Sequence, residues 1–154
     1  MERRTILRAW LPLEIAWLLM ALEGPFIAAV IARLPDPTLN LAAYGVAFPL
    51  GMLFESPIIL IMSASTALVK DRESLRRLFR FTLALNAAIT LALALCVVPP
   101  VFRGLTHGLM GLPDPVVERS HGALALLLPW PAAIGFRRFH QGLMIRSGQT
   151  RRIA

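Results

Sequence analysis

Gly51-Met52-Leu53-Phe54-Glu55-Ser56-Pro57-Ile58-Ile59-Leu60 sets a carboxylate and a proline inside an otherwise apolar run. In a soluble core Glu55 would need a partner. In a bilayer an ionised carboxylate is costly unless paired or hydrated, and such acids are functional by default. The length of the run decides between these readings. It extends from Leu41 to Val69, well past the roughly 20 residues needed to cross a hydrocarbon core about 30 Å thick. Similar blocks run from Trp10 to Ala32, from Leu78 to Val98, and from Val116 to about Phe136.

The composition agrees. The 154 residues are 56% hydrophobic and only 16% charged, with mean hydropathy +0.65, whereas a soluble domain carries about 25% charged residues. Only helices or closed barrels satisfy their backbone groups in lipid. The blocks are rich in Leu, Ala and Ile and lack the alternation of barrel strands. The expectation is an all-α membrane protein with four transmembrane helices, at about 10–32, 41–69, 78–98 and 116–147. A tail precedes them at 1–9. The connectors 33–40 and 111–119 each carry Pro-Asp-Pro, which stops and restarts helices. "KDRESLRR" (70–77) reads as a charged turn that opens the third helix.

The first block is not read as a signal peptide. It follows Arg3, Arg4 and Arg8, but it is long, contains Glu14 and Glu23, and lacks a small-residue cleavage site. Charge gives the orientation. The tail, the 70–80 segment and the segment after the fourth block together hold thirteen of the sixteen basic residues. Only Arg33, Arg103 and Arg119 fall on the other side. The positive-inside rule then places both termini in the cytoplasm of a multi-pass cell-membrane protein. After the fourth block "RRFHQGLMIRSGQTRRIA" stops where another helix would begin, at 149–154, which predicts a longer protein.

Several function classes are disfavoured. Net charge is +7 with pI near 11.4, but the arginines flank apolar blocks instead of lining a polar face, so no nucleic-acid partner is expected. The single Cys96 allows no disulfide framework or CxxC metal site. No nucleophile elbow or HExxH occurs, so neither an enzyme nor a cofactor or metal is expected. His140 is a lone histidine, and Trp10, Trp17 and Trp130 read as interface anchors or packing.

The candidate residues are buried polar groups. Glu55 lies at the middle of its block, where its carboxyl suits reversible protonation. Pro57 removes a backbone donor, and the freed carbonyls of a kinked helix near midplane are typical of transporter ion sites. At 100° per residue Met62 and Thr66 fall about 20° to either side of Glu55 on one helix face. Glu23, beside Gly24-Pro25, repeats the pattern. Glu14 lies half a turn away and is expected to pair with cytoplasmic arginines. Arg137, Arg138 and Gln141 follow a run that Pro129 and Pro131 should bend. These arginines either snorkel to headgroups or enter a cavity, pairing with an acid or gripping an anion. Asn86 suits an interhelical hydrogen bond.

The layout resembles the N-terminal part of the multidrug and toxic compound extrusion (MATE) family, within the flippase-and-exporter superfamily. "LAAYGVAFPLGMLFESPIILIMSASTALV" (41–69) is similar to the family's second helix, "DRESLRRLFRFTLAL" (71–85) to its turn into helix three, and "FHQGLMIRSGQTRRIA" (139–154) to its exit from helix four. "ESPIILIMSASTALVKDRE" and "FRRFHQGLMIRSGQTR" are most similar to bacterial relatives of the progressive ankylosis protein. Glu55 and the Arg137-Arg138 pair depart from drug-exporting members, which argues against a cationic-drug substrate.

The resemblance implies a partial N-lobe of a two-lobed exporter. It implies alternating access, coupling to H⁺ or Na⁺, and efflux of a small or amphiphilic solute. C-terminal helices would complete the lobes. Two alternatives stand beside it. One is a small four-helix proton-coupled multidrug transporter acting as a homodimer, against which the one-sided arginines argue. The other is a non-transporting membrane scaffold subunit, which leaves the buried glutamates unexplained.

Overall fold

A computed structural model describes residues 3–149, and side chains from Trp10 to Gln149. Of the further helix expected to start at 149–154, residues 150–154 lie outside the described residues, as do the side chains of Arg3, Arg4 and Arg8. The described chain is all-helical. Its elements are α1 (Arg3–Ile31), α2 (Pro37–Leu68), α3 (Arg72–Val97), α4 (Pro99–Arg103), a π-helical turn at Gly104–Leu109, α5 (Asp114–Leu126) and α6 (Trp130–Arg146). Three helices, over Trp10–Ile31, Pro37–Leu68 and Arg72–Val97, are long and apolar enough to cross a membrane. α2 has 32 residues, about 48 Å at 1.5 Å per residue.

The starts of the helices follow local chemistry. Asp36 takes a left-handed conformation (φ 54°) and Pro37 opens α2 at its first turn, where a proline's missing N–H costs nothing. In the second Pro-Asp-Pro, Pro113 is extended and Asp114 and Pro115 form the first turn of α5, so the acid sits at the positive end of the helix dipole. The expected turn at 70–77 is a capping box. Asp71 accepts from the Ser74 N–H at 2.7 Å, and Ser74 Oγ accepts from the Asp71 N–H at 3.0 Å.

Prolines redraw two expectations. α2 runs unbroken through Pro49 and Pro57. Pro57 strips the Leu53 carbonyl of its helical donor, but the Ser56 hydroxyl donates to that carbonyl at 2.8 Å. The carbonyl expected to be free is therefore occupied. The break falls instead in the fourth block, between α5 and α6. There Pro129 and Pro131 cannot donate, and the N–H groups of Leu127, Leu128 and Trp130 bond back three residues. A third departure is helical structure across 99–109, between the third and fourth blocks. Its π-helical turn is closed by Met110 N–H to Leu105 O (3.1 Å) and Leu112 N–H to Thr106 O (3.1 Å).

α2 is the hub, packed against α3, α5 and α6. Gly51 meets Trp130, and Gly142 meets Met62 and Ser65, so α2 and α6 run parallel and close together. α3 is antiparallel to both. Two apolar clusters form. One joins Ala47, Leu93, Cys96, Phe102, Val117 and Leu124 near the Pro37 end. The other joins Ile61, Val69, Leu78 and Phe139 near the Lys70 end. α1 packs mainly on α2 and buries none of its described side chains, leaving Leu18, Leu22 and Phe26 more than half exposed.

Candidate functional site

Between the two apolar clusters lies a polar band. Glu55 is 4% exposed, Arg138 3%, Asn86 6% and Gln141 7%. They come from α2, α6, α3 and α6. The contacts of Gly51 with Trp130 and of Gly142 with Ser65 fix the register, and place Glu55 level with Gly135. Asn86 enters from α3 at that same glycine, where any Cβ would overlap its amide. Only glycine at 135 leaves the amide this space.

Polar groups this deep are normally hydrogen-bonded, and these are not fully so. Glu55 Oε2, Asn86 Oδ1 and Arg138 Nε are sealed from solvent without a partner, as is Ser65 Oγ. Arg138 donates from Nη1 to Gln141 Oε1 at 3.3 Å. Its guanidinium lies 5.2 Å from the Trp17 ring centroid, within cation–π range. Among the described residues no ion pair engages Glu55. The polar band thus holds one buried acid and one buried base, with no ion pair between them.

Cavities line the seam between α1 and the bundle. A cavity of about 60 Å³ is bounded by Trp17, Met20, Met62, Arg138 and Gln141. A second, of about 340 Å³, is bounded by Glu23, Tyr44, Phe48, Ala123 and Trp130. A third, of about 760 Å³, shares Tyr44 and Ala123 with it and reaches Asn40, Glu118 and Arg119. Tyr44, common to the two larger cavities, has a buried and unpaired hydroxyl.

The sequence candidates therefore divide. Glu55, Asn86, Arg138 and Gln141 share the band. Glu23 is exposed and borders the middle cavity. Arg137 is exposed, with Nη2 3.4 Å from Met20 Sδ. Thr66 ties α2 to α6 by donating to Met62 O (2.9 Å) and Gly142 O (3.2 Å), while Arg146 donates to Thr66 O (3.1 Å). That is a structural lock. His140 bonds Phe136 O at 2.8 Å and stacks on the Phe136 ring. The ion pair expected for Glu14 does not occur among the described residues, and the side chains of Arg3, Arg4 and Arg8 lie outside them.

Sequence reasoning missed Tyr44 and the role of Trp17, which faces Arg138 instead of only anchoring an interface. The small residues at 135 and 142 were the available signal, since close approach of helices in membranes uses them. Compared with known proteins, the chain matches no family model, no curated protein and no solved structure. The reading of the site therefore rests on its own residues.

Proposed function

We propose that this chain works in the membrane as part of an ion-coupled transporter of MATE type, exporting a small or amphiphilic solute. α1, α2 and α3 each cross the bilayer. α5 and α6 together make a fourth, interrupted span, and both ends face the cytoplasm. The observation that carries this reading is the pair of ionisable groups, Glu55 and Arg138. Both are buried at mid-helix, each keeps an unpaired polar atom, and Arg138 borders the α1 seam.

A carboxylate without a hydrogen-bond donor is a site for H⁺ or Na⁺. An arriving cation cancels the field that Glu55 exerts on Arg138, so occupancy of Glu55 competes with its hold on Arg138. Arg138 in turn touches α1 through Trp17 and Met20. α1 is the most weakly packed helix and the natural element to respond. The two larger cavities along its seam, which share Tyr44 and Ala123, offer the solute a path toward the Pro37 end. Further helices, or a second copy of the chain, would cover the apolar face of α1.

The test is gradient-driven efflux of amphiphilic dyes from vesicles bearing the protein. Wild type extrudes dye when a H⁺ or Na⁺ gradient is imposed. Glu55→Gln loses at least 90% of that flux, on the order of the cost of deleting one essential coupling group, yet stays in the membrane through alkaline washing. Undiminished flux in Glu55→Gln removes Glu55 from the mechanism.

A further inference from the structure

The seam between α1 and the bundle has a charge pattern of its own. Three ionisable carboxyl or guanidinium side chains border its two larger cavities: Glu23, Glu118 and Arg119. Glu118 is turned to Arg103, with 3.7 Å between Oε1 and Nη2. Among the described residues neither Glu23 nor Arg119 has an ion-pair partner. The joined cavities therefore offer a ligand one acid and one base.

Each charge has a built surrounding. Arg119 stands toward the Pro37 end, where its Nη1 donates to Asn40 Oδ1 at 2.6 Å. Asn40 is itself fixed, since its Nδ2 donates to the Pro35 carbonyl at 2.7 Å. The guanidinium is thus held by one edge and keeps further N–H groups for an anion. Glu23 borders the cavity of about 340 Å³ together with Tyr44, Phe48 and Trp130. These rings form a row, with centroids 5.2 Å apart from Tyr44 to Phe48 and 5.6 Å from Phe48 to Trp130. A carboxylate beside aromatic rings suits an ammonium group, which the ring faces also attract.

The spacing of the two ends follows from the helices. Asn40 and Tyr44 are four residues apart on α2, about 6 Å along its axis. A Cβ on Gly24 would lie 4.0 Å from the Tyr44 hydroxyl, so Gly24 is level with Tyr44 and Glu23 is one residue deeper. The anion and ammonium positions are then about 8 Å apart along the bundle. Between them the Tyr44 hydroxyl is buried and unpaired, and can donate to a polar atom of a ligand.

We infer that this cleft binds an elongated zwitterion. A carboxylate or phosphate lies at Arg119, an ammonium lies at Glu23 beside the aromatic row, and an apolar body rests on Ile31, Leu39 and Ala43. A simple cation would leave Arg119 opposed to it, and a simple anion would leave Glu23 so. The cavity of about 760 Å³ at the Arg119 end falls within the size range of small-molecule sites. Calling this occupant the exported solute rests on the transport reading above, whereas the site itself does not.

The experiment measures binding of radiolabelled ω-aminooctanoate to the full chain in phosphatidylcholine nanodiscs, by equilibrium dialysis at neutral pH. Octylamine and octanoate are the single-charge comparisons, and binding to empty nanodiscs is subtracted. Wild type should bind the zwitterion at least about tenfold more tightly than either comparison. Glu23→Gln should lose about tenfold toward the zwitterion and leave octanoate unchanged. Arg119→Gln should lose as much and leave octylamine unchanged. Arg76→Gln, at the Lys70 end, should bind as wild type does. The comparison ligand each variant retains shows that its cleft is still formed. Octylamine or octanoate bound by wild type as tightly as the zwitterion overturns the proposal. Undiminished zwitterion binding in both variants overturns it too, and so does loss of both ligands in either one. No gradient is imposed, so these outcomes bear on the cleft alone. Zwitterion binding by a wild type that extrudes no dye under a gradient overturns the transport reading and leaves the site standing.

Discussion

Glu23 and Glu55 begin the same local pattern, a glutamate followed two residues later by a proline, in Glu23-Gly24-Pro25 and Glu55-Ser56-Pro57. Both sit inside long apolar helices. Their surroundings differ completely. Glu55 is buried between α2, α3 and α6, in the band that also holds Arg138. Glu23 is exposed on α1, which packs mainly on α2, and only borders a cavity. The pattern sets the backbone, since a helical proline leaves one carbonyl to be satisfied. It does not set the environment. The number of helices packed around each acid does that.

The sharpest way to break this comparison is to remove charge at both sites. Arg138→Gln leaves the buried Glu55 without its counter-charge, and loss of one partner from a buried pair costs about 3 kcal/mol. Glu23→Gln alters an exposed group and should stay within about 0.5 kcal/mol. Thermal unfolding in detergent micelles measures both. Equal shifts would mean that the two acids share one environment.

The neighbouring glycines give a smaller and independent contrast. Gly135→Ala drives a methyl group into the Asn86 amide, and overpacking of this kind costs about 2 kcal/mol. Gly24→Ala meets nothing nearer than the Tyr44 hydroxyl at 4.0 Å. It should be neutral or gain up to about 1 kcal/mol, because alanine is the better helix former. A Gly24 variant as damaging as the Gly135 one would show α1 to be tightly packed.

The smallest effect belongs to Asp71, an exposed acid whose placement is wholly local. The Ser74 backbone N–H, and next the Ser74 hydroxyl, hold its carboxyl below the usual aspartate range. A lowered value in the folded state means that the unfolded chain binds the proton more readily. The cap therefore contributes at neutral pH and is lost only as pH falls through and below the ordinary aspartate range. Acid titration of stability for wild type and Asp71→Ala checks this: the two curves should converge at low pH. A constant gap would assign the cap to something other than the carboxylate.

Much of the helical plan was legible in the sequence because it depends on length and apolarity. The blocks beginning at Trp10, Leu41 and Leu78 start inside α1, α2 and α3 and end one residue past them. The charged turn at 70–77 was legible, and its capping box joins Asp71 and Ser74, only three residues apart. The break at Leu127–Pro129 was signalled by its prolines, but whether a proline bends or breaks depends on who takes the freed carbonyl. Ser56 does so for Pro57, and hydroxyl rescue is not visible in a hydropathy pattern. The π-helical turn after Pro99-Pro100 lay between the third and fourth blocks, in a stretch given no element. Burial was the least legible property. Thr66 and Glu55 fall within about 20° of one helix face, yet one locks two helices and the other sits in the polar band. That difference is made by α6, far away in sequence.

The account stands on Glu55 and Arg138 holding one another's charge inside the helix bundle, and a double-mutant cycle addresses that claim most directly. Unfolding is measured for Glu55→Gln, Arg138→Gln and the double variant in the same micelles. The account predicts that the double variant loses less than the two singles combined, with a coupling of at least about 1 kcal/mol. Strict additivity would contradict it, since two groups that ignore each other cannot link ion occupancy to the movement of a helix.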